Sequence, residues 1–107
     1  MRKIKSLEIS YAEPAVADLD FFLQNLTEVY DEQFARRKIT SIMDEVSTLS
    51  LFSSRCPLLS ELYGIEFDSP YRRLLFNPYV IIYLVIGTTV NIIRIFHEKE
   101  DYLSILL

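Results

Sequence analysis

The sequence predicts an α+β fold: an N-terminal strand, an antiparallel helical hairpin, and then a three-stranded antiparallel meander. Three observations carry this. Tyr79 to Phe96 reads YVIIYLVI, GTT, VNIIRIF, two runs of β-branched and aromatic residues around a Gly87-Thr88 break, which is the sequence form of a β-hairpin. Two stretches with apolar residues at helical spacing lie side by side upstream of those runs. Helices and strands come in blocks and do not alternate, so the layers are segregated.

Taken in order, Leu7, Ile9 and Tyr11 alternate with Ser6, Glu8 and Ser10, the period-two pattern of a half-buried strand from about Ile4 to Tyr11. Ala12-Glu13-Pro14 opens the first helix, where a proline has no intrahelical N–H bond to lose. Val16, Leu19, Phe22, Leu23 and Leu26 form its apolar stripe, and Asp18, Asp20 and Gln24 fall off it. The chain turns between Asn25 and Asp31, with Thr27 or Asp31 as the cap of a second helix that runs to about Leu49. Phe34, Ile39, Ile42, Met43, Val46 and Leu49 mark its inner stripe, and Arg36-Arg37-Lys38 reads as a solvated face. Ser53-Ser54, Pro57, Gly64 and Pro70 punctuate an irregular stretch with one helical turn around Leu58 to Leu62. Tyr71 to Phe76 begins the meander, and Asn77-Pro78 turns the chain because a residue before proline avoids the helical region. His97 to Asp101 leaves the sheet, and Tyr102 to Leu107 ends as an apolar tail.

Within the central run both alternating sets are apolar: Tyr79, Ile81, Tyr83 and Val85 on one side, Val80, Ile82, Leu84 and Ile86 on the other. An antiparallel sheet usually leaves one face wet. A cover on the second face is therefore implied, supplied by the chain itself or by a partner.

With 107 residues, half of them hydrophobic, the chain can bury one core, and residues 1–107 are expected to form a single domain. Its longest apolar run, Tyr79 to Ile86, falls far short of the roughly 20 residues that cross a bilayer, so no membrane contact is expected. The N-terminus MRKIKSLEIS has no apolar stretch of signal-peptide length, and the single Cys56 has no disulfide partner; both fit the cytosol. Eleven basic against fifteen acidic residues give a net charge of −4, with a pI near 4.9. Nucleic-acid binders that hold phosphates carry a basic face, so a protein partner is the better expectation.

No cofactor or metal is expected: the two glycines, Gly64 and Gly87, make no phosphate loop, and one histidine excludes a paired-histidine site. Cys56, beside Pro57, reads as an inert small hydrophobe. The remaining polar set is Tyr71, Arg72, Arg73, Arg94, His97, Asp101 and Tyr102. His97 precedes Asp101 by four residues, a spacing at which the carboxylate could orient the imidazole for acid–base work or target contact; alternatively both only cap the strand end. Arg72 and Arg73 must point to opposite faces of their strand.

These residues reach a family. The N-terminal strand followed by Pro-Ala-Val-Ala-Asp-Leu, the Tyr71-Arg72-Arg73 strand, the Tyr79-Val80-Ile81-Ile82-Tyr83 strand, and Val90 to His97 leading to Asp101 together resemble the RelE/ParE superfamily of bacterial type II toxin–antitoxin toxins, from Ile4 to Leu107. The resemblance implies a fold like the small microbial ribonucleases and one of two activities. RelE-like members cut messenger RNA on the ribosome with a cationic set, for which this chain offers Arg72, Arg73, His97 and Tyr102. ParE-like members block DNA gyrase. Val80 stands where the ribonucleases place an arginine, and Leu74 where a second catalytic lysine is expected. Losing one such charge-stabilising group costs roughly 3 kcal/mol at the transition state. The ParE-like reading is therefore favoured, with Arg72, Arg73, Arg94, His97 and Asp101 as target contacts. The resemblance also implies a cognate antitoxin, docking on Leu103, Leu106 and Leu107, in a homodimer or a heterotetramer with that antitoxin. A non-toxic binding relative is the third reading.

Overall fold

A computed structural model describes residues 6–107. The expected beginning of the first strand at Ile4 lies outside the described residues, and the strand within them is β1 (Glu8–Tyr11). It leads into α1 (Glu13–Val29), with Pro14 in the first turn as expected. The chain reverses at Tyr30, and α2 (Glu32–Ser47) starts behind Asp31, whose carboxylate accepts the Phe34 N–H at 2.7 Å. Of the two candidate caps, Asp31 does the work; the Thr27 hydroxyl instead donates back to the Leu23 carbonyl within α1.

The second helix ends sooner than its apolar stripe suggests. A kink at Thr48 separates α2 from α3 (Leu49–Phe52), and the helical turn expected near Leu58 is α4 (Leu59–Tyr63), closed by Gly64 at φ 65°. Then come β2 (Arg72–Phe76), β3 (Tyr79–Ile86), β4 (Thr89–His97) and α5 (Tyr102–Leu106). Gly87, at φ 59°, makes the tight turn between β3 and β4.

The sheet order is β1-β4-β3-β2, with β2, β3 and β4 antiparallel and β1 parallel to β4. From Tyr79 to Tyr83 β3 is buried on both sides, as its composition demands, but the expectation fails at its far end, where Leu84 and Val85 are half-buried and Ile86 is exposed beside the turn. Tyr79, Ile81 and Tyr83 face the hairpin, packing with Leu19, Phe22, Ile42 and Val46. Val80 and Ile82 face the other way, into a smaller core with Leu59, Phe96 and Tyr102. The cover of the second face thus comes from the chain's own α4 and α5. On the hairpin, two residues expected inside are exposed, Val16 at 45% and Met43 at 43%, and Ala15 and Ala35 are fully buried in their place.

One carboxylate ties the hairpin to the sheet. β1 pairs β4 only as far as Ile92, which leaves the rest of that edge of β4 without a neighbouring strand. Asp18 of α1 fills the gap: Oδ2 accepts the Ile95 N–H at 2.8 Å and the Arg94 Nε–H at 2.8 Å, and Oδ1 accepts from Arg94 Nη2 at 3.0 Å. Both side chains are largely buried, with exposures of 27% for Arg94 and 14% for Asp18. Asp18→Ala strands a backbone N–H and a guanidinium, so it is expected to lower unfolding stability by about 2–3 kcal/mol. Glu32→Ala, which breaks the exposed Arg36–Glu32 pair, is expected to stay within about 0.5 kcal/mol. Urea unfolding of both variants checks the contrast.

Candidate functional site

Arg72 and Arg73 leave β2 on opposite sides, as the strand period requires. Arg72 shares its row with Tyr83 on the hairpin face. Its Nη1 donates to the Cys56 carbonyl at 2.5 Å and to the Ser54 carbonyl at 3.4 Å, and the Tyr83 hydroxyl donates to the Ser53 carbonyl at 2.6 Å. The two side chains together pin the Ser53–Cys56 loop. Burial, followed by the neighbouring Cys56, pushes the Tyr83 phenol well above the ordinary tyrosine range.

Arg73, Ile82 and Arg94 occupy one row across the second face. At one end, Arg73 Nη1 donates to the Tyr63 hydroxyl at 3.1 Å and to the Tyr102 hydroxyl at 3.5 Å, and those hydroxyls bond to each other. The bond to Tyr102 is the main reason the guanidinium is held above its ordinary value. Its Nε is buried with no hydrogen-bond partner. The Tyr102 ring stacks on Phe96 at 5.7 Å between centroids, and the Arg94 guanidinium lies 4.7 Å from the centre of the Phe96 ring. Arg94 is charged more firmly than usual, chiefly through Asp18.

His97 shares its row with Tyr79 on the hairpin side and meets that ring edge-on at 6.1 Å. The pairing of His97 with Asp101, one of the two readings of their spacing, does not form. His97 Nδ1 accepts the Lys99 N–H at 3.2 Å, and the Asp101 carboxylate caps α5 by accepting from the backbone and hydroxyl of Ser104. Each group takes a local partner instead, His97 within the turn and Asp101 at the start of α5, so neither orients the other.

The five expected target contacts therefore do not make one surface. Arg72 holds a loop, Arg73 and Arg94 lie beneath or beside α5, and His97 is on the opposite face from them. Leu103 and Leu106 pack against the second core, while Leu107 is 67% exposed. Leu74 and Val80 are buried apolar residues. Among the described residues, no group of three or more His, Cys, Asp and Glu side chains comes together in a way that could hold a metal ion.

A feature that the sequence reading missed is a groove of about 590 Å³ where the hairpin tip overhangs the end of the sheet, walled by Phe21, Tyr30, Phe34, Phe76, Tyr79 and Lys38. Phe21, Val29 and Tyr30 are all more than 60% exposed there. Part of the signal was present: Phe21 lies off the helical stripe, where an apolar residue has no core to enter, whereas Val29 and Tyr30 continue the stripe past the end of the sheet. Lys38 extends over the Phe34 ring at 5.6 Å.

Comparison with known proteins gives two findings. The family model described as the ParE toxin of type II toxin–antitoxin system, parDE, matches residues 9–102. A solved structure titled as a chromosomal ParDE TA system from P. aeruginosa superimposes with a TM-score of 0.72 at 19% identity, covering 86% of this chain and 96% of that one. The fold, an N-terminal strand, helices and a three-stranded meander, is that of the matched structure. No curated protein sequence matches.

Tyr11, Tyr63, Tyr71, Tyr79 and Tyr83 all hold their phenol protons above the ordinary value, with burial the first cause in each. A raised folded value means the stabilisation is complete below the unfolded value, near 10, and is lost as pH rises through the folded values. Stability is thus expected to fall above about pH 10, by at most about 1.4 kcal/mol per pH unit for each such phenol. Tyr83→Phe is expected to flatten that slope, as read by urea unfolding at several alkaline pH values.

Proposed function

From a chain that belongs to the ParE toxin family of type II toxin–antitoxin systems, we propose a toxin that arrests growth by binding DNA gyrase and is neutralised by a cognate antitoxin. It acts by contact with protein, in the cytoplasm. The observation that carries this choice is the engagement of all three arginines on the sheet. Arg72 is spent on loop carbonyls, Arg73 on two phenols and Arg94 on Asp18.

RNA scission through the 2′-hydroxyl needs cations aimed at the developing phosphorane charge. Arg72, Arg73 and Arg94 are instead turned inward, and His97 lies across the sheet from Arg73. Tyr102, the remaining member of the RelE-like set, is buried in a ring stack. The exposed apolar residues Phe21, Val29 and Tyr30 favour a protein contact as well, because a soluble chain rarely keeps such a cluster open without a use. No helix among the described residues is long and apolar enough to cross a membrane.

Purified chain at micromolar concentration is expected to stop supercoiling of relaxed plasmid by gyrase, and its induction without antitoxin to stop growth. Undisturbed supercoiling removes gyrase as the target. Cuts at the ribosomal A site, mapped by primer extension on translated messages after induction, would move the chain to the RelE-like endoribonucleases. Normal growth on induction would make it a binding relative without toxicity.

A further inference from the structure

The arginines of the sheet are turned inward, so a chain that acts by protein contact needs another surface for it. The groove under the hairpin tip has the build of one. Its floor belongs to the core: Phe22 and Tyr79 are buried and meet edge-on at 5.1 Å between ring centres. Its rim is aromatic and open. The Phe21 ring lies 6.0 Å from Phe22, Tyr30 leans on Phe34 at 4.4 Å, and Phe21 and Tyr30 are both exposed. A fixed apolar floor beneath an exposed aromatic rim makes a preformed seat for a large apolar side chain.

The α2 side of this groove is positive, in a chain whose net charge is −4. Within the Arg36-Arg37-Lys38 run, Arg36 spends its charge on Glu32. Among the described residues, Arg37 and Lys38 have no carboxylate within ion-pair distance. Lys38 lines the groove over the Phe34 ring, and Arg37 lies beside both in a shallow neighbouring cleft. The carboxylate on the groove wall, Glu100, already accepts the His97 N–H at 3.0 Å. On the α1 side an acid, Glu28, lies near Phe21. The run is thus more than a solvated face: two uncommitted cations stand along one wall of an aromatic seat, and the opposite wall has the opposite sign.

We propose that the groove under the hairpin tip is where the target docks, and that it takes an acidic segment of gyrase, which seats a large apolar side chain on Phe22 and Tyr79 and sets its carboxylates against Lys38 and Arg37. The placement rests on the reading of the chain as a gyrase-binding toxin and gives that toxin its point of contact. The aromatic seat supplies the hold, because desolvated aromatic anchors carry most of the energy of a protein interface. The two cations supply approach and direction: they draw in an acidic segment, and Glu28 on the far wall repels one that enters the wrong way round.

The test uses the full chain and three labelled peptides: a phenylalanine flanked by glutamates, the same peptide with glutamines, and the glutamate peptide with serine in place of phenylalanine. The first is expected to bind roughly tenfold more tightly than the serine peptide, and roughly threefold more tightly than the glutamine peptide at low salt. Arg37→Gln combined with Lys38→Gln should erase the second difference, and Tyr30→Ser should shrink the first. In the supercoiling assay, Phe21→Ser and Tyr30→Ser are expected to raise the inhibiting concentration by roughly tenfold, while Arg36→Gln leaves it unchanged. Urea unfolding confirms that these exposed substitutions keep the fold. Equal affinity of the three peptides, no binding up to millimolar concentration, peptide binding indifferent to Tyr30→Ser, or Phe21 and Tyr30 variants that stop gyrase at the wild-type concentration would each overturn the proposal. A wild-type chain without effect on gyrase removes gyrase as the occupant, and the peptides, which need no gyrase, still decide whether the groove takes an acidic segment with an apolar anchor.

Discussion

Everything in this fold follows from a strand that cannot tolerate water on either side. β3 presents Tyr79, Ile81 and Tyr83 to one face and Val80 and Ile82 to the other, and all five are buried. Exposing either set would forfeit on the order of 1.5–3 kcal/mol for each large side chain, so a sheet built on β3 needs a layer on both faces. The chain supplies two layers of unequal strength. One is a hairpin of 17- and 16-residue helices; the other is a pair of five-residue helices, α4 and α5. Helices that short do not hold themselves together in water. They persist because of what they touch.

The polar residues of the sheet are placed where these layers meet the strands. The unpaired edge of β4 is closed by Asp18, which stands in for a neighbouring strand and holds Arg94 at the same time. That Arg94 also covers Phe96, whose ring stacks with Tyr102, so the outer helix, the sheet and the hairpin are joined through one line of side chains. Cationic groups used in this way have their geometry fixed by the fold. They are poorly suited to the second task of meeting a phosphate, which is why the arginine count of the sheet says little about catalysis.

How much of this could be read beforehand depends on the range of the interaction. The strand runs, the hairpin turn at Gly87 and the helical stripes are local patterns, and each lies where the sequence puts it, with boundaries shifted by a residue or two. The two-sided burial of β3 was legible because it needs only alternation. The parallel pairing of β1 with β4 was not, since those strands are far apart in sequence and nothing in the four residues of β1 names a partner. Asp18 looked like one more solvent-facing acid off the stripe, and its role depends on β1 ending early. Val16 and Met43 fitted the helical period and are nevertheless exposed, whereas Ala15 and Ala35, which add little to an apolar stripe, are fully buried. His97 and Asp101 had a suggestive spacing, yet each found a local partner, the Lys99 N–H in the turn for His97 and Ser104 in α5 for Asp101. For the candidate site as a whole, residue types were visible and their orientations were not.

The adjacent Arg72 and Arg73 show why orientation decides the matter. Two like side chains on successive strand positions are forced to opposite faces, and on this edge strand each meets a different cover. Arg72 fastens the loop that leads out of the hairpin layer, through the Cys56 and Ser54 carbonyls. Arg73 fastens α4 and α5 through Tyr63 and Tyr102. The first is bound by backbone oxygens of that loop; the second is bound by phenols carried on two short helices. One strand therefore carries two different ties side by side, one to a loop and one to a pair of helices, and the difference between them lies wholly in what the chain places opposite each guanidinium.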